Sequence, residues 1–431
     1  MSVIHKKTLE SIIEEDIAKL TGKPKNLKSL VEEDLSKMMG KPLSNKNLWI
    51  WLVMDFLFIQ LVLGPFNVMI WRGGWEIYDE IFKTNTVTVK ERYPEVSEKN
   101  TVTGIIVFLA GFTISIPLVF FSEYVTKYAD AILKHNDYGR MTFKYQFVTR
   151  AYGFLTFLTM LLYWKGLFDM LWNQPNKEDH HYFSAGCLGI GSMILMYLGC
   201  LKTAATSLPM GIYLDTAVQY NHVTQFFDTK GREDVGIPFR IWNAFLTLCI
   251  EVLALVTYFG AFQLVGYFFR EVFKEPLGDS ATSLIYLATA VSLSALSYMA
   301  SIFYLKFLYG AKQTKAYELV TTIIYDLTLL MAVVATAFHF YAWWKILDDL
   351  KMHIADDVKD TLAEVLYLLV GMIVITVAGV GSGNNYGISW EYKKKEDGVL
   401  LPFIYLTYLF RDERKVSTFA ADFLMDIHPS Q

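Results

Sequence analysis

Residues 52–75 read Leu52-Val-Met-Asp-Phe-Leu-Phe-Ile-Gln-Leu-Val-Leu-Gly-Pro-Phe-Asn-Val-Met-Ile-Trp-Arg-Gly-Gly-Trp75. This run is apolar and long enough to cross a bilayer. It carries a carboxylate, Asp55, in its first third and ends in an aromatic residue followed by a cation, Trp71 and Arg72. The pattern recurs on every second apolar run: Gln146 then Trp164-Lys165-Gly166-Leu167-Phe168, Glu251 then Phe269-Arg270, and Asp326 then Trp344-Lys345. From polar residue to cation the separations are 17, 19, 19 and 19 residues. Along a helix that is about 26 to 29 Å, nearly one hydrocarbon core. The polar group then sits near one membrane face and the cation near the other, as expected for four degenerate two-helix units.

Composition agrees. The chain has 431 residues, 53% hydrophobic, 16% aromatic and only 19% charged, with a mean hydropathy of +0.31. That is more apolar surface than one soluble core buries. The runs are continuous rather than alternating, which excludes an outer-membrane barrel and predicts helices. The fold class is all-α, a polytopic transmembrane bundle of about eight spans. They are read at 48–70, 104–121, 147–163, 182–201, 241–268, 282–305, 318–343 and 362–382. The chain divides into a tail (1–46), the eight-span domain (47–383) and a second tail (384–431).

With eight spans both tails share a face. That face collects 26 Lys and Arg residues against 12 on the other, so both termini are expected in the cytosol. The first 46 residues are charged and lack an apolar signal region, so the first span is expected to direct insertion. Cys187, Cys200 and Cys249 all fall in expected spans, and no N-x-S/T sequon occurs. An endomembrane or plasma-membrane location suits both facts. A net charge of −4 does not point to nucleic acid.

The first tail holds a separate repeat, Ser11-Ile-Ile-Glu-Glu-Asp through Gly22-Lys-Pro24 and again Ser29-Leu-Val-Glu-Glu-Asp through Gly40-Lys-Pro42. Each copy has a capping Ser, early acids and a terminating Gly-Lys-Pro, which predicts a short amphipathic helix. Such helices need a surface to be stable. Residues 1–46 are therefore expected to dock on the protein's own cytosolic face, the lipid interface or a partner protein. In the second tail, Leu400–Phe410 is too short to cross. Lys393–Lys395 and Arg411, Arg414 and Lys415 flank it, which suits an interfacial segment on anionic lipid.

Ionisable groups inside a bilayer are costly, so each requires a reason. Asp55, Glu251 and Asp326 are expected at comparable depth, with Gln146 and Arg150 nearby. One reading is a polar cluster for a proton, a cation or a lipid headgroup. The other is a satisfied structural network in which Arg150 pairs with one acid.

Trp71-Arg-Gly-Gly-Trp75 has two readings as well. Tryptophan beside arginine anchors span ends at the headgroup level. Two adjacent glycines instead let a backbone turn or approach another helix closely, which would aim Trp71, Arg72 and Trp75 into the bundle. Trp164, Lys165, Arg270 and Lys345 are the matching candidates on the other spans. A phospholipid phosphate is the natural anion for Arg72, with Glu76 and Asp79 the nearest acids in sequence. The stretch Pro65-Phe-Asn-Val-Met-Ile-Trp-Arg-Gly-Gly-Trp75 followed by Asp79, in an eight-span chain, resembles the fuseless family of invertebrate membrane proteins. The resemblance implies a non-enzymatic protein linked to synaptic or membrane organisation, and carries over no catalytic residues and no cofactor.

Other chemistry is weakly signalled. Glu178-Asp179-His180-His181 offers metal-binding side chains but lacks the His i, i+4 geometry of a metalloprotease. A solvated loop is the simpler reading, and no metal or cofactor is expected. His339 reads as an interfacial or packed histidine. Ser184-Ala-Gly-Cys-Leu-Gly-Ile-Gly-Ser192 and Gly379-Val-Gly-Ser-Gly383 are small-residue surfaces for close helix packing. The expected function is a non-catalytic auxiliary or organising subunit of a larger membrane assembly, associated with lipid handling or channel organisation. The alternative is a transporter or lipid carrier that uses the intramembrane carboxylates.

Overall fold

A backbone inside hydrocarbon must satisfy its own N–H and C=O groups, and helices do so segment by segment. The computed structural model describes residues 45–82, 98–134, 143–172, 180–205, 210, 235–272, 279–303, 315–354 and 360–378. Helix accounts for 97% of them, and no strand occurs among them. Residues 1–44 of the first tail, the whole second tail, Glu178 and Asp179, and Gly379–Gly383 lie outside the described residues, as do the side chains of Gln146 and Arg270.

Span 1 is α1 (Asn45–Phe58), a π-helical turn (Ile59–Leu63) and α2 (Gly64–Phe82). Spans 2 to 4 are α3 (Glu98–Lys134), α4 (Phe143–Trp172) and α5 (His180–Leu198). A short α6 (Lys202–Ala205) precedes span 5, α7 (Ile237–Val272). Spans 6 to 8 are α8 (Asp279–Phe303), α9 (Lys315–Ile354) and α10 (Asp360–Val377). Spans 1 to 7 are long and apolar enough to cross a membrane, and α10 adds the shorter apolar stretch Leu362–Val377.

The π-turn has a local cause. Pro65 lacks an N–H and its ring crowds the carbonyl one turn earlier. The helix widens just before it, and the Gly64 N–H bonds Ile59 O, five residues back. Pro and π-bulges are the usual origins of such irregularity.

The odd spans form an inner ring in which α2, α4, α7 and α9 touch in cyclic order. The even spans lie outside the ring: α3 on α4 and also against α7, α5 on α7, α8 on α9 and α10 on α2. The two-helix units expected from consecutive spans thus close in the other phase, and span 8 returns to span 1. Small residues explain the phase, because lipid supplies no hydrophobic drive between helices and close packing must hold them. A Cβ on Gly371 of α10 would lie 2.7 Å from Phe66 O of α2. One on Gly166 of α4 would lie 2.6 Å from Gly104 O of α3, and one on Gly260 of α7 would lie 2.6 Å from Ser184 O of α5.

The outward face of α10 presents Leu362, Leu366, Leu369, Ile373 and Val377, all exposed. Its inward face carries Glu364, Tyr367 and Ile375, all buried. The polar groups point inward and the apolar ones outward, as lipid requires.

Three of the four odd spans outrun their expected ends. Span 1 reaches Phe82, span 3 Trp172 and span 7 Leu350, where ends near 70, 163 and 343 were expected. The Trp-Arg-Gly-Gly-Trp segment does not turn. It stays helical within the ring, because its cation finds carboxylates there instead of water.

After α5 the chain folds back into the bundle. Gly199, at φ 68, closes a left-handed cap in which Cys200 N bonds Leu195 O at 2.7 Å and Gly199 N bonds Met196 O at 3.0 Å. Glycine tolerates that backbone at no steric cost. Cys200 to Ala205 and Met210 are all buried, with α6 against α7 and α9. By the apolar pattern alone this segment, including the Lys202 side chain, falls in the last residues of span 4 and the loop after it. It instead enters the ring at the end where odd spans begin, here called the near end.

Candidate functional site

The cations at the far ends of spans 1 and 3 are buried, and each is shared between two acids. Arg72 Nη2 lies 2.9 Å from Asp348 Oδ1 and 3.0 Å from Glu364 Oε1. Its guanidinium sits 5.4 Å from the Tyr367 ring centre. Lys165 Nζ lies 2.7 Å from Asp79 Oδ1 and also pairs with Asp169, one turn on in α4. The ammonium is 5.3 Å from the Trp75 ring centre, a cation–π contact. Arg72 therefore joins span 1 to spans 7 and 8, and Lys165 joins span 3 to span 1. Asp79, a sequence candidate for Arg72, serves Lys165.

Two glycines make this corner possible. A Cβ on Gly73 would lie 2.5 Å from Glu364 O, and one on Gly74 would lie 2.5 Å from Leu161 Cδ2. Gly73 therefore seats α10 and Gly74 seats α4. Arg72 and Trp75 lie on either side of the pair.

The repeated aromatics converge in the ring. Trp71 and Trp164 pack at 4.6 Å between ring centres, and Trp71 meets Phe157 edge-on at 5.5 Å. Trp75 meets Phe168 at 5.1 Å and Trp344 at 6.4 Å, both edge-on. Span 5 contributes Tyr258, 6.3 Å from Trp164 and 6.2 Å from Phe340 of span 7. Edge-on aromatic pairs each add about 0.5–1.5 kcal/mol beyond burial. Lys345 is half-buried on α9 and Arg270 lies on α7.

Toward the near end, Asp55 and Glu251 are buried and Asp326 is half-buried, and each has a polar partner. Tyr163 OH donates to Glu251 Oε2 at 2.6 Å. Arg150 Nη2 reaches Thr376 O of α10 at 3.5 Å. The three acids are staggered. Tyr258 faces Phe340, so Asp326, fourteen residues before Phe340, lies about 10 Å nearer the near end than Glu251, seven before Tyr258. Asp55 falls between them, because Gly64 is level with His339. Gln146 lies on α4.

Several participants escaped the sequence reading. Glu364 was a lone carboxylate in an apolar run, a signal that was present in the sequence. Tyr163 resembled an ordinary aromatic among many. Lys202, buried and partnered, resembled a loop lysine. His181 stacks on Tyr267 at 4.7 Å, and among the described residues no group of three or more His, Cys, Asp or Glu side chains is placed to hold a metal. In the small-residue stretch of α5, Gly191 packs on Thr257 and Cys187 on Gly260, whereas Gly186 and Gly189 face open space.

These features define a polytopic α-helical membrane protein with a polar inner ring. The chain belongs to the Fuseless family, whose family model matches residues 50–381. No curated protein and no solved structure matches it.

Proposed function

We propose that this protein is a non-catalytic auxiliary or organising subunit of a larger membrane assembly, in a setting of lipid handling or channel organisation. The observation that carries this reading is the far half of the inner ring. Aromatic side chains pack between the four odd spans, and Arg72 and Lys165 are engaged by carboxylates from neighbouring elements. Ion pairs between buried side chains, as in Arg72–Glu364 and Lys165–Asp79, favour one fixed arrangement of helices. A carrier that cycles between two arrangements would have to break them.

In this reading the partners are membrane phospholipid on the outer apolar faces, with Lys345 and Arg270 at the headgroup level, and proteins captured through residues 1–46. Both termini lie in the cytosol, as the excess of Lys and Arg on that side supports. The deciding experiment is gentle purification of the full chain from native membrane with mass spectrometry of what accompanies it. Stoichiometric membrane or cytosolic partners are the expected result. Solute uptake or lipid transfer by the protein alone in liposomes, lost in Asp55→Asn, Glu251→Gln or Asp326→Asn, would overturn the reading in favour of a carrier.

A further inference from the structure

Midway along span 1 lies a second polar locus that the ion pairs do not use. His339 of α9 is wholly buried, with its ring against Gly64 immediately after the π-turn. A Cβ at Gly64 would overlap the imidazole Nε2. Neither ring nitrogen has a hydrogen-bond partner among the described residues. Gln60, also wholly buried and one turn before Gly64, has an unpaired amide nitrogen, while its Oε1 accepts from Ser294 Oγ of α8 at 3.4 Å. The indole N–H of Trp343, one turn from His339 with ring centres 6.4 Å apart, is likewise buried and unpaired. Pro65 adds a further need, because its missing N–H leaves a carbonyl of the preceding turn without its helical donor.

The chemistry of the unpaired atoms selects the guest. A neutral imidazole offers one donor and one acceptor, the amide nitrogen donates, and the indole only donates. A metal or alkali cation needs acceptors, and this set is dominated by donors. An anion would lie without a counter-charge in a low-dielectric interior. A small neutral molecule that both donates and accepts suits every group, and buried water characteristically joins two to four such partners. We propose that the π-turn of span 1 and His339 of span 7 form an intramembrane hydration site, in which water bridges the imidazole and the Gln60 amide. The widened turn, Gly64 and His339 are then one device, with the missing side chain at Gly64 making room for the ring that holds the water.

The test is a map of the full-length protein in lipid nanodiscs that resolves ordered water elsewhere in the molecule. Density is expected within about 3.2 Å of a His339 nitrogen and of the Gln60 amide. Absence of density at both overturns the site, and this arm needs no variant to fold. Thermal melting supplies the second readout. His339→Leu is expected to lower the midpoint, and His339→Gln, which keeps a donor and an acceptor, to lower it less. A raised or unchanged midpoint for His339→Leu would show a dry, unpaired polar group instead and would equally overturn the site.

Discussion

Arg72 and Glu364 are 292 residues apart in sequence and meet at 3.0 Å between two buried side chains. Asp348, 40% exposed, takes the same guanidinium nitrogen at 2.9 Å. The two acids are not equivalent, because the buried one has no water to replace its partner. Glu364→Ala is expected to destabilise by about 3–5 kcal/mol and Asp348→Ala by well under half of that. Thermal melts in detergent, with Arg72→Ala completing a double-mutant cycle, measure the difference. Equal losses would mean that burial does not govern the pair.

Arg72→Lys keeps the charge and loses the planar fork. Both acids meet one nitrogen, Nη2, so reach decides the outcome: the shorter lysine side chain does not carry its ammonium to that position while lying against Tyr367 as the guanidinium does. The variant is expected to insert normally and to melt at a lower temperature than the native protein, and an unchanged midpoint would reduce Arg72 to a point charge.

The glycines sort by what they face. Gly73→Ala drives a Cβ into the α10 backbone, with Glu364 O at 2.5 Å, and overpacking of this kind costs about 1–3 kcal/mol. Gly186→Ala and Gly189→Ala meet nothing within 4 Å, so the gain in helix propensity should leave them neutral or more stable by about 0.5–1 kcal/mol. A stability series on the three variants checks the contrast.

Tyr163→Phe removes the donor to Glu251 and leaves a buried carboxylate short of one bond. A loss of about 1–3 kcal/mol is expected. Adding Glu251→Gln should recover part of it, because an amide carries less charge to satisfy. Melting curves of the single and double variants decide, and a double variant less stable than either single would count against the pairing.

Deleting residues 1–44 is expected to leave insertion and folding intact, since the spans carry their own apolar signal, while co-purifying partners are lost. Full partner occupancy in the truncated protein would assign docking to the spans instead.

The class and span count were legible because hydropathy is local. Asp55 and Glu251 could be singled out for the same reason, since any carboxylate in an apolar run stands out. Their depths could not be read, because depth depends on how α7 and α9 slide past α2. Tyr258 facing Phe340, and Gly64 facing His339, set that slide, and neither contact has a sequence signal. The partners of Arg72 were hidden by distance along the chain. Glu76 and Asp79 were near in sequence, but Gly73 draws α10 inward and brings Glu364. The pairing phase of the helices was hidden by repetition itself, since four similar units can join neighbours on either side.

Closure of the last span onto the first has a consequence for synthesis. Span 1 emerges from the ribosome early, carrying Asp55, Gln60 and Arg72 on faces that will later be buried. The helix that covers Gly73 and presents Glu364 is the last of the eight to be made. During that interval Arg72 must be held at the lipid–water boundary or by the insertion machinery. Any truncation before α10 would leave that early helix without its companion, a lesion that membrane quality control can recognise.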